Sequence, residues 1–208
     1  MERRATITEA RKIMGVNFIG VDELKRISNY LPVCLKVVPE IQYTFEDLNA
    51  KREDYILILG ASAFSDSQLV NIINLRKIFG VDPSVSEPCF YNQDWYLNEK
   101  FVNKSLENRW YLIKKTVFEE SRAVTPIELE KIYSFPSAIL CAYTFYCYWF
   151  LNNEILWKYD FVWCNDVDHN SDRIYIGKYC DIDGVNKNGF SIHRHLALRS
   201  SYATVTCY

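Results

Sequence analysis

The sequence predicts an α+β fold with a small helical N-terminus, a central buried apolar helix and a mostly antiparallel C-terminal sheet. Three observations carry this expectation. The chain opens on a capping pattern, Thr6-Ile7-Thr8-Glu9; the run from Ala138 to Leu151 is apolar almost all round; and the last third breaks into short alternating segments separated by Asp, Asn and Gly. The division expected is a helical N-terminal segment, residues 1–45, followed by an α+β domain, residues 46–208.

The Thr6 hydroxyl and the Glu9 carboxylate, three residues apart, can satisfy each other's backbone donors, so a helix should start there and stop at Gly15. A second helix is expected near Asp22, with Leu24, Ile27 and Leu31 on one face and Pro32 as its end. Two short helices around a Gly-containing turn have helix-turn-helix spacing, and residues 1–36 carry seven Lys or Arg against four Asp or Glu, a local +3. The second helix nevertheless lacks the row of Arg, Asn and Gln that reads base edges, so a helical pair capping the main core is the stronger reading.

Tyr55 to Leu59 is an unbroken apolar run closed by Gly60, which suits a strand buried on both faces. Ser65 and Asp66 are placed to cap a helix running from about Ser67 to Phe79, ended by Gly80 and Pro83. The loop between has neither G-x-G-x-x-G spacing nor a Lys after a glycine, so it reads as a plain βα connection and not as a phosphate cradle. Arg109 to Phe118 alternates like a strand.

The 14 residues from Ala138 to Leu151 make roughly 21 Å of helix, short of the roughly 30 Å of a bilayer core. They are therefore expected to form a core helix, with Pro136 in the first turn and Asn152-Asn153 as the stop. Beyond it, Ile155 to Cys164, Arg173 to Tyr179, Phe190 to Leu198 and Tyr202 to Tyr208 read as strands.

Apolar residues at 49% and aromatics at 15% exclude a disordered chain. A formal charge of −2 supplies no long-range field for nucleic acid or an anionic membrane. The seven cysteines at 34, 89, 141, 147, 164, 180 and 207 are scattered and form no C-x-x-C pair, so they read as reduced thiols. With no secretory pattern at the start, the expected compartment is the cytoplasm.

All three histidines, His169, His193 and His195, fall within 27 residues of the last third, among Asp166, Asp168, Asp172, Asp181 and Asp183. On a strand, Ser191, His193, His195, Ala197 and Arg199 share one face, expected to be the wet one. The H-x-H pair sets its Cα atoms about 6.6 Å apart, so both rings can lean onto one divalent metal, with Asp168 or Asp172 completing the set. Asp166-Val167-Asp168-His169-Asn170-Ser171-Asp172 starts like a calcium loop, but Ser171 stands where the turn needs glycine and Gly177 where a Glu is needed; an Asx-rich turn explains the same residues. Cys164 and Cys180, the thiols nearest these histidines in sequence, read as inert buried side chains.

The order Asp168-His169, Asn188, then His193 or His195 resembles the HNH type of nuclease, in which one His activates water while another His and an Asp hold a metal. It departs from that pattern because the final His should lie on a helix, whereas Phe190 to Leu198 alternates like a strand. Tyr175-Ile176-Gly177 echoes half of a GIY-YIG nuclease motif, with no G-I-Y before it. The leading functional expectation is a non-enzymatic binding or assembly protein with no membrane role. Its protein or nucleic-acid partner would meet a surface that includes Asp166, Asn170, Arg194 and Arg199. The rival is a metal-dependent hydrolase using His193, His195, Asp168 and Asp172.

Overall fold

The computed structural model describes residues 3–180, 188–194 and 198–208. Helix α1 spans Ile7–Met14, and its capping box is formed: Glu9 N–H donates to Thr6 Oγ1 at 3.3 Å and Thr6 N–H to Glu9 Oε2 at 2.9 Å. Gly15 ends it at φ +54°, a conformation that L side chains rarely adopt. Strand β1, Phe18–Ile19, leads into α2, Val21–Arg26, and then β2, Val33–Cys34. The first 45 residues are thus not only helical. They supply two short strands, and Ala10, Met14, Phe18 and Ile19 join the same buried cluster as the rest of the chain.

After α3, Phe45–Lys51, the apolar run forms β3, Tyr55–Leu59, as expected. It is the middle strand of a sheet ordered β1-β3-β5, parallel to β1 and antiparallel to β5, Trp110–Lys114. Ile56 to Leu59 have no exposed surface, which is why no alternation marks them.

The expected start of one helix moved. Helix α4 spans Ile72–Phe79 and is capped by Asn71, whose side chain accepts from Asn74 N at 2.9 Å. Ser65 and Asp66 are spent earlier: Ser65 N–H and hydroxyl both donate to Pro32 O, and Asp66 accepts from Gln68 N. They close a turn after β4, Ala63–Phe64, which pairs antiparallel with β2.

The apolar run is α6, Ala138–Asn152, following the single-turn α5, Pro126–Leu129. Every residue from Ala138 to Tyr148 is buried. Ser137 caps it, so Pro136 precedes the cap and does not sit in the first turn; Asn153 ends it in the left-handed conformation. Two tyrosine hydroxyls tie it to the N-terminal half: Tyr143 donates to Leu59 O at 3.2 Å and Tyr148 to Asn17 Oδ1 at 2.9 Å. Among the described residues no helix is long and apolar enough to cross a membrane.

Strands β6 (Phe161–Val167), β7 (Arg173–Gly177), β8 (Ser191–His193) and β9 (Tyr202–Ala203) form a sheet ordered β8-β7-β6-β9. Two of its pairings are antiparallel; β9 runs parallel to β6. The expected strand at Tyr202 to Tyr208 leaves this sheet after Ala203. Its continuation hydrogen-bonds along β5, with Lys114 N–H donating to Thr206 O at 3.0 Å and Tyr208 N–H to Leu112 O at 3.1 Å. Having left the C-terminal sheet, the last residues therefore cover the open edge of β5.

Candidate functional site

Strand alternation gives the C-terminal sheet two faces of different chemistry. Val162, Cys164, Ile174, Ile176, Ile192 and Ala203 belong to the main core with α6. The other face gathers Phe161, Trp163, Tyr175 and Tyr202 in a second buried cluster with Leu129 and Phe135. Its rings meet edge to face, Phe161 with Tyr175 at 5.2 Å and Trp163 with Tyr175 at 5.0 Å, each pair adding about 0.5–1.5 kcal/mol beyond its buried area.

His193 sits on this aromatic face and not on a wet one. Its ring stacks on Tyr175 at 5.6 Å and meets the edge of Phe161 at 5.1 Å. Gln93 Nε2 lies 3.3 Å from its Nε2. Burial, with Lys178 nearby, pushes the imidazole down from 6.5 to about 4, so it is neutral at pH 7. Beside it opens a pocket of about 210 Å³ walled by Tyr91, Phe161 and Tyr202 and edged by Lys178, Ser191 and Arg199. Arg199 is exposed and makes no ion pair among the described residues.

A second polar cluster lies at the other end of β8, around the hairpin joining β6 to β7. Asp168 Oδ1 accepts from Asn170 N at 2.8 Å and Asp172 N at 2.9 Å, the Asx-rich turn expected of this segment. Asp168 Oδ2 accepts from Arg194 Nη1 at 2.7 Å, and that same nitrogen lies 3.4 Å from Glu99 Oε1. The guanidinium also packs over Trp95, 4.6 Å from the ring centre. His169 donates its backbone N–H to Glu99 Oε2 at 3.0 Å and places Nδ1 2.5 Å from Glu99 Oε1. Burial alone would raise Asp168, but Arg194 and the two turn amides outweigh it and hold the carboxyl below its usual range.

The structure distributes the sequence-derived residues over separate places. Arg194 and Asp168 meet; Asn170 and Asp172 support Asp168 through their amides, with Asn170 exposed at the hairpin tip. Asp166 is buried: it accepts from Ala138 N at 2.8 Å, at the start of α6, and pairs with Lys104 Nζ at 2.6 Å. It lines a separate cleft of about 280 Å³ that Arg199 does not line. His193 faces the aromatic pocket, and the metal-ligand group among the described residues is Glu99, Asp168 and His169. His195, Asp181 and Asp183 lie outside the described residues. All seven cysteines are unpaired, and burial pushes the Cys164 thiol well above its ordinary value, so it stays protonated.

Sequence reasoning missed Glu99, Trp95, Gln93 and Lys178. The first three come from an irregular stretch without periodicity, and only tertiary packing brings them to β8. No protein-family model, no curated protein and no solved structure matches the chain.

Proposed function

We propose that the chain is a non-enzymatic binding or assembly protein of the cytoplasm that grips an acidic side chain of a protein partner in the pocket between Lys178 and Arg199. The observation that carries this reading is the convergence of two cations and the Ser191 hydroxyl on a space with aromatic walls. At about 210 Å³ the pocket is smaller than most small-molecule sites, which run from about 300 Å³, and suits one side chain. A carboxylate fits the cations, and its methylene stem fits Phe161 and Tyr202. The formal charge of −2 favours a protein partner over nucleic acid, because phosphate backbones are drawn by extended positive fields. Unpaired cysteines agree with a reducing compartment.

The bland alternative is an ordinary surface dent that receives no ligand. A capped oligoglutamate peptide distinguishes the two. Fluorescence anisotropy should give salt-sensitive binding to the wild type that Arg199→Ala weakens at least fivefold. Melting temperature should barely change, since an exposed side chain without an ion pair contributes within about 0.5 kcal/mol. Equal binding by wild type and variant would remove the pocket from the account. The hydrolase reading has less support: Arg194 holds Asp168, and His193 lies on a strand beside Gln93, not on the helix that an HNH arrangement requires.

A further inference from the structure

Two carboxylates are almost wholly removed from water at the β6–β7 hairpin: the side chain of Glu99 is 7% exposed and that of Asp168 is 0% exposed. Burying two negative charges side by side is costly unless positive charge compensates them. Among the described residues one guanidinium, that of Arg194, contacts both carboxylates. Both oxygens, Glu99 Oε1 and Asp168 Oδ2, are directed at the same point, now filled by Arg194 Nη1. A third donor stands beside it. His169 lies 63% open to solvent and offers a ring nitrogen within 4.8 Å of one oxygen of each carboxylate.

Two oxygens and one imidazole nitrogen form a ligand set for a divalent transition metal, with water filling the remaining positions. Bonds of roughly 2.0–2.2 Å place neighbouring ligand atoms about 3–4 Å apart, so small side-chain adjustments gather this set around one ion. The supporting contacts have the form such sites use. Asp168 is oriented through its other oxygen by two backbone amides, and Glu99 through Oε2 by His169 N–H. The exposed imidazole gives the ion a way in.

We propose that Glu99, Asp168 and His169 bind a divalent transition cation in competition with Arg194, which occupies the site as a tethered cation when the metal is absent. On binding, the ion takes Asp168 Oδ2 and Glu99 Oε1, and Arg194 swings out along Trp95 towards solvent. The competing view is a closed ion-pair network in which Arg194 is the permanent partner and His169 only a hydrogen-bonded surface ring. The two views differ in what His169 does. A closed network predicts no metal dependence on that exposed side chain.

The test uses Mn²⁺ as the probe, because it suits carboxylate and imidazole sites and is little drawn to the seven thiols. Electron paramagnetic resonance of free Mn²⁺ in the presence of the full chain should show one equivalent taken up at micromolar concentration. His169→Ala, which keeps the backbone N–H to Glu99, should weaken uptake at least tenfold while circular dichroism shows the chain still folded. Arg194→Gln removes the resident competitor, so it should bind Mn²⁺ more tightly than the wild type, and added Mn²⁺ should raise its melting temperature more. Uptake only at millimolar Mn²⁺, or equal uptake by the wild type and His169→Ala, overturns the site. Unchanged or weaker uptake by a folded Arg194→Gln overturns the competition.

Discussion

In the sheet β1-β3-β5 the central strand buries Ile56, Leu57, Ile58 and Leu59 completely, and those four side chains carry no polar atom that needs a partner. The sheet β8-β7-β6-β9 buries Asp166, Asp168 and Ser191, with Glu99 against its hairpin and an imidazole among its rings. Both rest on the same hydrophobic core. The difference teaches where to look for function. Apolar burial stabilises a fold directly, whereas each buried polar group costs about 1–3 kcal/mol unless it is paired. A chain that keeps so many in one sheet has spent stability there, and local departures from the simplest packing tend to mark functional or strained places.

The comparison breaks first on deletion of core volume. Ile58→Ala removes a side chain with no exposed surface and should cost about 3–4 kcal/mol by urea denaturation, the range for large-to-small changes in a tight core. A loss below 1 kcal/mol would mean that the first sheet is less well packed than described.

Arg194→Ala sharpens the contrast from the other side. It deletes no apolar core volume, yet it leaves Glu99 and Asp168 facing each other without their cation. The expected loss is about 2–3 kcal/mol, somewhat under the usual figure for a broken buried pair because the guanidinium is partly exposed. The same denaturation experiment with Arg199→Ala should show almost nothing, which separates a structural arginine from a surface one nearby in sequence.

A smaller loss than either core or ion-pair deletion is expected from a change of pH. Folded His193 is held near 4 and the unfolded imidazole titrates near 6.5, so between those values the unfolded chain binds the extra proton. Its contribution is complete above about 6.5 and is lost as pH falls towards about 4. The loss should be about 2 kcal/mol, less than the full shift implies because the pocket is open on one side. In His193→Gln the wild type's extra slope in that window should vanish; an unchanged slope assigns it to the carboxylates instead.

How much of this was legible depended on whether the signal was local. β3 and α6 were read within a residue or two because unbroken apolar runs have few solutions, and the turn at Asp168 was legible because Asp and Asn bond their own backbone. The start of α4 was misplaced because Ser65 and Asp66 are equally good turn residues, and the choice was made by Pro32 from another part of the chain. The face of His193 was misread for a related reason. Alternation separates two faces of a strand but does not say that Phe161, Tyr175 and Tyr202 will cover the second one. The available signal was that Phe161, Trp163 and Tyr175 alternate toward one side of their strands. Glu99 carried no signal at all, being one acidic residue in an irregular segment.

The central claim is that the outer face of the C-terminal sheet is a desolvated aromatic surface with a cationic pocket that receives a carboxylate. Proton NMR of the His193 ring, followed against pH with and without the capped oligoglutamate peptide, tests it most directly. In the free protein the ring should titrate near 4, well below the ordinary 6.5, and a bound carboxylate beside it should move that value upward. A His193 that titrates near 6.5 in the free protein, or that ignores the peptide at saturating concentration, would contradict the account.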